Sequence, residues 1–275
     1  MKKRILLILL LLILIPTFWG FLENGALEVN EIPVTSNALP ESFRGFRIAH
    51  VSDLHNAEFG NENERLLELL QESEPDLIAI TGDLIDSRNT DVDIALAFVR
   101  EAVKIAPCCY VTGNHESRVK EYTILEAGLL EAGVTVLRNG STTIGREGES
   151  ICLAGVDDPT FGGTDALKQS LSQMSSEDFT LLLSHRPELF EYYCDYGYDL
   201  VLSGHAHGGQ FRLPFLGGLI APHQGWFPKY DAGLYTQGET NMVVSRGLGN
   251  SLFPFRLNNP PEVILITLAK ESAAN

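Results

Sequence analysis

The sequence predicts an α/β layered fold with largely parallel strands, and three observations carry that prediction. From about residue 45, short apolar runs alternate with segments of helical periodicity. The apolar runs are rich in Ile and Val and lack a polar face, as expected for strands buried on both sides. Each run then breaks into a polar loop containing Gly, Asp, Asn or His. The chain has 275 residues and is 44% hydrophobic, enough for a sizeable core. It shows no low-complexity block and no internal repeat.

The elements follow in order. Lys2, Lys3 and Arg4 precede an uncharged run, 5–22. As a helix these eighteen residues would rise about 27 Å, close to the ~30 Å hydrocarbon core of a bilayer. Residues 1–22 are therefore expected to be a transmembrane signal-anchor. A cleaved signal peptide would need a small-residue site, and "FWGFLENGAL" offers a poor one. The basic cluster keeps the N-terminus cytoplasmic, which places the body outside the cytoplasmic membrane as a single-pass protein. Residues 23–44 read as a tether with a strand near 26–34, and 45–275 as one domain. "FRIAHVSDLH" reads as a strand entering a loop, and "NERLLELLQES" as an amphipathic helix. "DLIAITGD" is a second buried strand, "DVDIALAFVREAVKIA" a helix, "CCYVTGNHE" a third strand and loop, and 121–132 a helix. From residue 134 Gly-rich turns join strands, and this change of texture suits a second sheet. "FTLLLSHRP" and "YDLVLSGHAHGGQ" are two further buried strands with a helix at 187–195 between them. Short strands and turns fill 210–270, closing with "PEVILITL".

Charge and cysteine usage narrow the function. Without residues 1–22 the body has 17 basic against 36 acidic residues, near −19. Such a surface repels polyanions, so nucleic acid is not an expected partner and a nuclease is disfavoured. Cys108, Cys109, Cys152 and Cys194 contain no C-x-x-C spacing, so neither a zinc ribbon nor a redox motif is predicted, and small buried residues are expected. No G-x-S-x-G elbow supports a serine nucleophile.

Five apolar strands each end in metal-binding side chains. "VSDLH" supplies Asp53 and His55, "ITGDLID" Asp83 and Asp86, "VTGNHE" Asn114 and His115. "LLSHRP" supplies His185, and "LSGHAH" supplies His205 and His207. Ligand sites in open α/β sheets form beyond the carboxyl ends of strands, so five loops at one sheet edge can converge. Carboxylate, imidazole and amide donors without thiolate suit divalent Mn, Fe or Zn. They are too numerous for one tetrahedral ion, whereas two ions sharing a carboxylate would use them all. His205 and His207, two apart on an extended segment, would face one cluster, with the flanking glycines leaving room for a phosphate. Five of the seven histidines lie in these loops. His50 and His223 are assigned to packing or a surface loop.

Those five motifs, "DLH", "GDLID", "GNHE", "SHRP" and "GHAH", resemble the signature of the calcineurin-like metallophosphoesterase superfamily over about 50–270. The N-terminal anchor, "GHAHGGQ" and "SRGLGNSLFPFRLNNPPEVILI" are similar to its bacterial membrane-associated, YkuE/YaeI-like subgroup. The resemblance implies a four-layer α-β-β-α sandwich with two mixed β-sheets. It implies that Asp53, His55 and His207 bind one metal and Asn114, His185 and His205 a second, with Asp83 bridging. His115 is similar to the family's catalytic acid, and Asp86 matches the Asp that pairs with it in the protein-phosphatase branch. An Arg follows that Asp directly in the branch, whereas Ser87 stands here and Arg88 comes one place late.

The expected activity is hydrolysis of phosphodiester or pyrophosphate bonds by attack of a metal-bound hydroxide. An anchored site points to lipids, lipid-linked sugars or envelope components. The alternatives are a phosphomonoesterase or protein phosphatase, and a UDP-2,3-diacylglucosamine-type pyrophosphatase, whose substrate lies on the cytoplasmic side. The segment 213–230, "LPFLGGLIAPHQGWFPKY", reads as a wall over the site or as a packed loop.

Overall fold

The computed structural model describes residues 17–176 and 178–270, with Arg4, Leu10 and Leu14. Strands β1 (Glu28–Thr35), β2 (Arg47–Val51), β3 (Leu77–Ile80), β4 (Cys108–Tyr110) and β5 (Thr135–Val136) begin a first sheet. Strands β6 (Gly140–Arg146), β7 (Glu149–Gly155), β8 (Thr180–Leu183) and β9 (Leu200–Ser203) begin a second. Two short antiparallel ladders follow, β10 (Arg212–Leu213) with β11 (Gly217–Gly218) and β12 (Ile220–Ala221) with β13 (Gly225–Trp226). The chain then returns to the second sheet with β14 (Gly233–Gln237) and β15 (Thr240–Val244), and to the first with β16 (Glu262–Ala269).

The strand orders are β1-β16-β2-β3-β4-β5 and β14-β15-β9-β8-β7-β6. Both sheets are mixed. β2 through β5 run parallel, while β16 is antiparallel to β2. β7, β8, β9 and β15 run parallel, while β6 and β14 are antiparallel edges.

Side-chain alternation explains the layers. Leu77 and Ala79 face one core while Ile78 and Ile80 face another. Leu181 and Leu183 join the first of these from the opposite sheet, while Leu182 faces away. The shared core thus lies between the sheets. A second core packs the first sheet against helices α1 (Glu64–Glu72), α2 (Val92–Ile105) and α3 (Tyr122–Glu131). A third packs the second sheet against α4 (Pro159–Met174) and α5 (Phe190–Asp195). The result is the α-β-β-α order.

Two expectations need amending. β1 pairs along its whole length with β16, so 28–35 belongs to the first sheet and is not a free tether. Helix α4 has no counterpart in the elements read from the sequence. Gly163, at φ 85°, interrupts its start, but Leu167, Leu171 and Met174 sit at helical spacing and are buried. Asp158 caps it, accepting from Thr160 N at 2.9 Å. Among the described residues no helix is long and apolar enough to cross a membrane. Most of the 1–22 run expected to do so lies outside the described residues.

Candidate metal centre

The loops after β2, β3 and β4 meet those after β8 and β9. The site therefore belongs to both sheets, and not to one sheet edge as expected. Among the described residues, besides a Glu188–His205–His223 group at the rim, three constellations have ligand atoms within 4.8 Å of one another: Asp53–His55–His207, His55–Asp83–His115 and Asp83–His185–His205. All seven residues of these three are buried.

Asp83 occupies the middle. Its Oδ2 lies 3.6 Å from His55 Nε2 and 3.2 Å from His185 Nε2. Asp53 Oδ1 lies 3.4 Å from His207 Nε2 and 3.7 Å from His55 Nε2. Asn114 closes the second group, with its side-chain amide 2.8 Å from His205 Nδ1.

The donor set fits two cations. His55 Nε2 faces His207 Nε2 at 3.2 Å, and His205 Nδ1 faces His185 Nε2 at 3.2 Å. A neutral imidazole has one donor and one acceptor nitrogen. Here imidazole pairs converge on buried carboxylates, while His55 Nδ1 and His207 Nδ1 have no hydrogen-bond partner. Burial would raise the Asp53 carboxyl, but the charge on His207 and His185 outweighs it and holds it well below the usual range. Burial would lower His185, but Asp83 and Asp53 lift it to about 10. A metal would take the place of that proton.

Backbone geometry aims these side chains. Asp53, His55, Asp83, His205 and His207 all have φ between 47° and 64°. Non-glycine residues rarely occupy this left-handed region, and it costs energy that the surrounding packing must supply. The extended geometry expected at His205 and His207 is therefore absent. Ala206 between them is helical, and the two rings serve different groups. Two glycines make room for the ligands themselves. A Cβ on Gly113 would collide with Asp83 Oδ1, and one on Gly204 with Asp53 Oδ2.

Glu116, the last residue of "GNHE", carries no role in the sequence reading. It is fully buried, and its carboxylate accepts the backbone N–H groups of Gly113 (2.7 Å), Asp83 (3.0 Å) and Leu84 (2.9 Å). One side chain thus ties the β3 and β4 loops together. Burial, with Asp83 nearby, pushes it up to about 7. The acidic last position of the motif was the available signal.

His115 and Asp86 differ from expectation. Asp86 Oδ1 is 3.5 Å from His115 Nδ1, but Arg88 takes that carboxylate through its backbone N–H, Nε and Nη2. His115 Nδ1 instead accepts the backbone N–H of Ser87 at 2.9 Å. That bond places the proton of the neutral ring on Nε2. Burial drives His115 down to about 4 despite the pull of Asp83. Asp86 therefore orders Arg88 and does not hold His115 as an imidazolium.

His50 is buried in β2 and bonds to Thr81 Oγ1 at 2.8 Å, outside the cluster. His223, assigned above to packing or a surface loop, reaches the site: its Nδ1 lies 2.9 Å from His205 Nε2. Arg186 contacts both rings and is held by a buried ion pair with Asp158. A cleft of about 140 Å³ opens over the centre, and Arg88, Arg118, His115 and His223 line it. The long-range pairing of Arg186 with Asp158 and of His223 with His205 left no local signature.

Two mixed sheets carrying a buried, carboxylate-centred pair of His/Asp groups define a metal-dependent phosphoesterase. Residues 46–209 match the calcineurin-like phosphoesterase model, and the chain belongs to that family. It is 35% identical to the uncharacterized metallophosphoesterase YkuE of Bacillus subtilis (strain 168), over 90% of this chain and 87% of the relative. It is 33% identical to phosphodiesterase YaeI of Escherichia coli (strain K12), over 81% and 82%. The crystal structure of TT1561 of Thermus thermophilus shares the fold, with a TM-score of 0.51 at 14% identity over 74% of this chain and 90% of that one.

Proposed function

We propose that this protein is a phosphodiesterase or pyrophosphatase tethered at the outer face of the cytoplasmic membrane, acting on lipids or envelope components. The observation that carries the chemical part is that Asp83 lies within ligand distance of His55 on one side and of His185 and His205 on the other. The diester preference draws on the name of YaeI, and the tether on the uncharged run 5–22 behind three basic residues.

Asp53, His55 and His207 would hold one ion and Asn114, His185 and His205 a second, with Asp83 placed to serve both. When bound, such a pair lowers the pKa of water and polarises a phosphoryl oxygen. The chain supplies the remainder. Arg88, fixed by Asp86, brings positive charge to the cleft in an acidic body. His115 presents Nε2–H to the departing ester oxygen as a neutral donor. Arg186 and His223 restrain His205 from behind and so fix which nitrogen faces the metal.

The test is a leaving-group series of aryl phosphodiesters with the metal-loaded protein. His115→Ala should retain metal and lose about 10²–10⁴ in kcat, most for poor leaving groups. Equal losses for good and poor leaving groups would remove the donor role. Phosphomonoesters hydrolysed faster than every diester would replace the diester reading with a phosphatase.

A further inference from the structure

An apolar groove of about 160 Å³ adjoins the metal cleft. Ile220, Ala221, Pro222, Leu252 and Phe253 form its walls, and His207 stands at its inner end. Pro222, Ser251, Leu252 and His207 also line the metal cleft, so the two spaces are continuous. Resting on the phosphoesterase reading above, we propose that this groove is a subsite for a hydrocarbon chain carried by the phosphate ester. The substrate class is an alkyl or acyl phosphoester whose first carbons lie between the 220–222 and 251–253 walls.

Three observations converge on that occupant. The lining is almost entirely apolar, and the amide of Gln210 at its floor already donates to the Phe255 carbonyl at 2.8 Å. A peptide or sugar would leave its own polar groups unpaired there. Leu252 is 76% exposed and Phe253 41% exposed at the rim of a catalytic cleft, where an apolar occupant would cover them. The groove is also joined to the N-terminal segment by a run of rings. Phe253 contacts Phe211 at 5.1 Å, Phe211 contacts Phe255 at 5.4 Å, and Phe255 contacts Phe21 at 5.5 Å. As to length, an apolar cavity of about 150 Å³ holds a six-carbon ring, so the groove accommodates about six carbons.

Binding of alkylphosphonates to the full chain loaded with Mn(II), measured by calorimetry, tests this independently of turnover. Hexylphosphonate should bind about 30-fold tighter than methylphosphonate, from five added methylenes half covered in an open groove. Octylphosphonate should gain less than about threefold beyond hexyl. Ile220→Asp and Leu252→Ala should each shrink the hexyl-to-methyl ratio severalfold, with methylphosphonate as the internal reference in each variant. Wild-type protein that binds both phosphonates alike, or variants that keep its ratio, overturn the groove assignment and leave the phosphoesterase reading standing. Failure of both phosphonates to bind overturns the phosphate site and the groove together.

Discussion

The ligand-bearing loops and the 211–230 excursion meet at one cleft but are built by different rules. The loops at 81–86 and 112–116 are closed by backbone hydrogen bonds to Glu116, the loop at 52–56 by backbone bonds to Gly82 and Asp83, and all three by glycine contacts too tight for a Cβ. Between 211 and 230 the excursion holds only two-residue ladders and leaves Phe215, Leu216, Trp226 and Phe227 exposed. The contrast teaches where each task is carried. Metal geometry needs fixed side chains, so its loops are buried and over-determined. Contact with a substrate's variable part needs a surface, and surface loops tolerate change.

Four substitutions break or sharpen this contrast, ordered by expected effect. Asp83→Asn lies at the centre of the rigid region. It should cost at least about 10³ in kcat and lower metal content. Full activity with both ions retained would take Asp83 out of the shared position. Gly113→Ala puts a methyl group against Asp83 Oδ1 and should weaken metal binding about 10–100-fold by titration. An unchanged affinity would mean that the loop is slack. Glu116→Gln puts an amide NH₂ among backbone N–H donors. It should destabilise the fold by about 1–3 kcal/mol in urea titration, and more if the charge itself is needed. Phe215→Ser in the excursion should shift stability by less than about 0.5 kcal/mol. A larger loss would show that the excursion is as tightly determined as the loops.

The sequence was legible where information is local. Strands β2, β3, β4, β8 and β9 were visible as apolar runs, and their polar ends named the donors that the fold gathers. Helix α4 was obscured because two glycines at its start dilute the apolar spacing. His223 looked like a surface residue because nothing near it in the chain announces His205, 18 residues away.

By itself, the sequence determined the alternation of strands and helices, the donor types and their order, because these follow from side-chain chemistry and short-range periodicity. Tertiary structure alone decided that two sheets share the site, that Asp53, His55, Asp83, His205 and His207 adopt left-handed backbone, and that Ser87 rather than Asp86 meets His115 Nδ1. It also decided that Arg186 and His223 stand behind His205. The reason is physical. Such features are contacts between distant segments, and a strained conformation persists only when the packing around it makes every alternative worse.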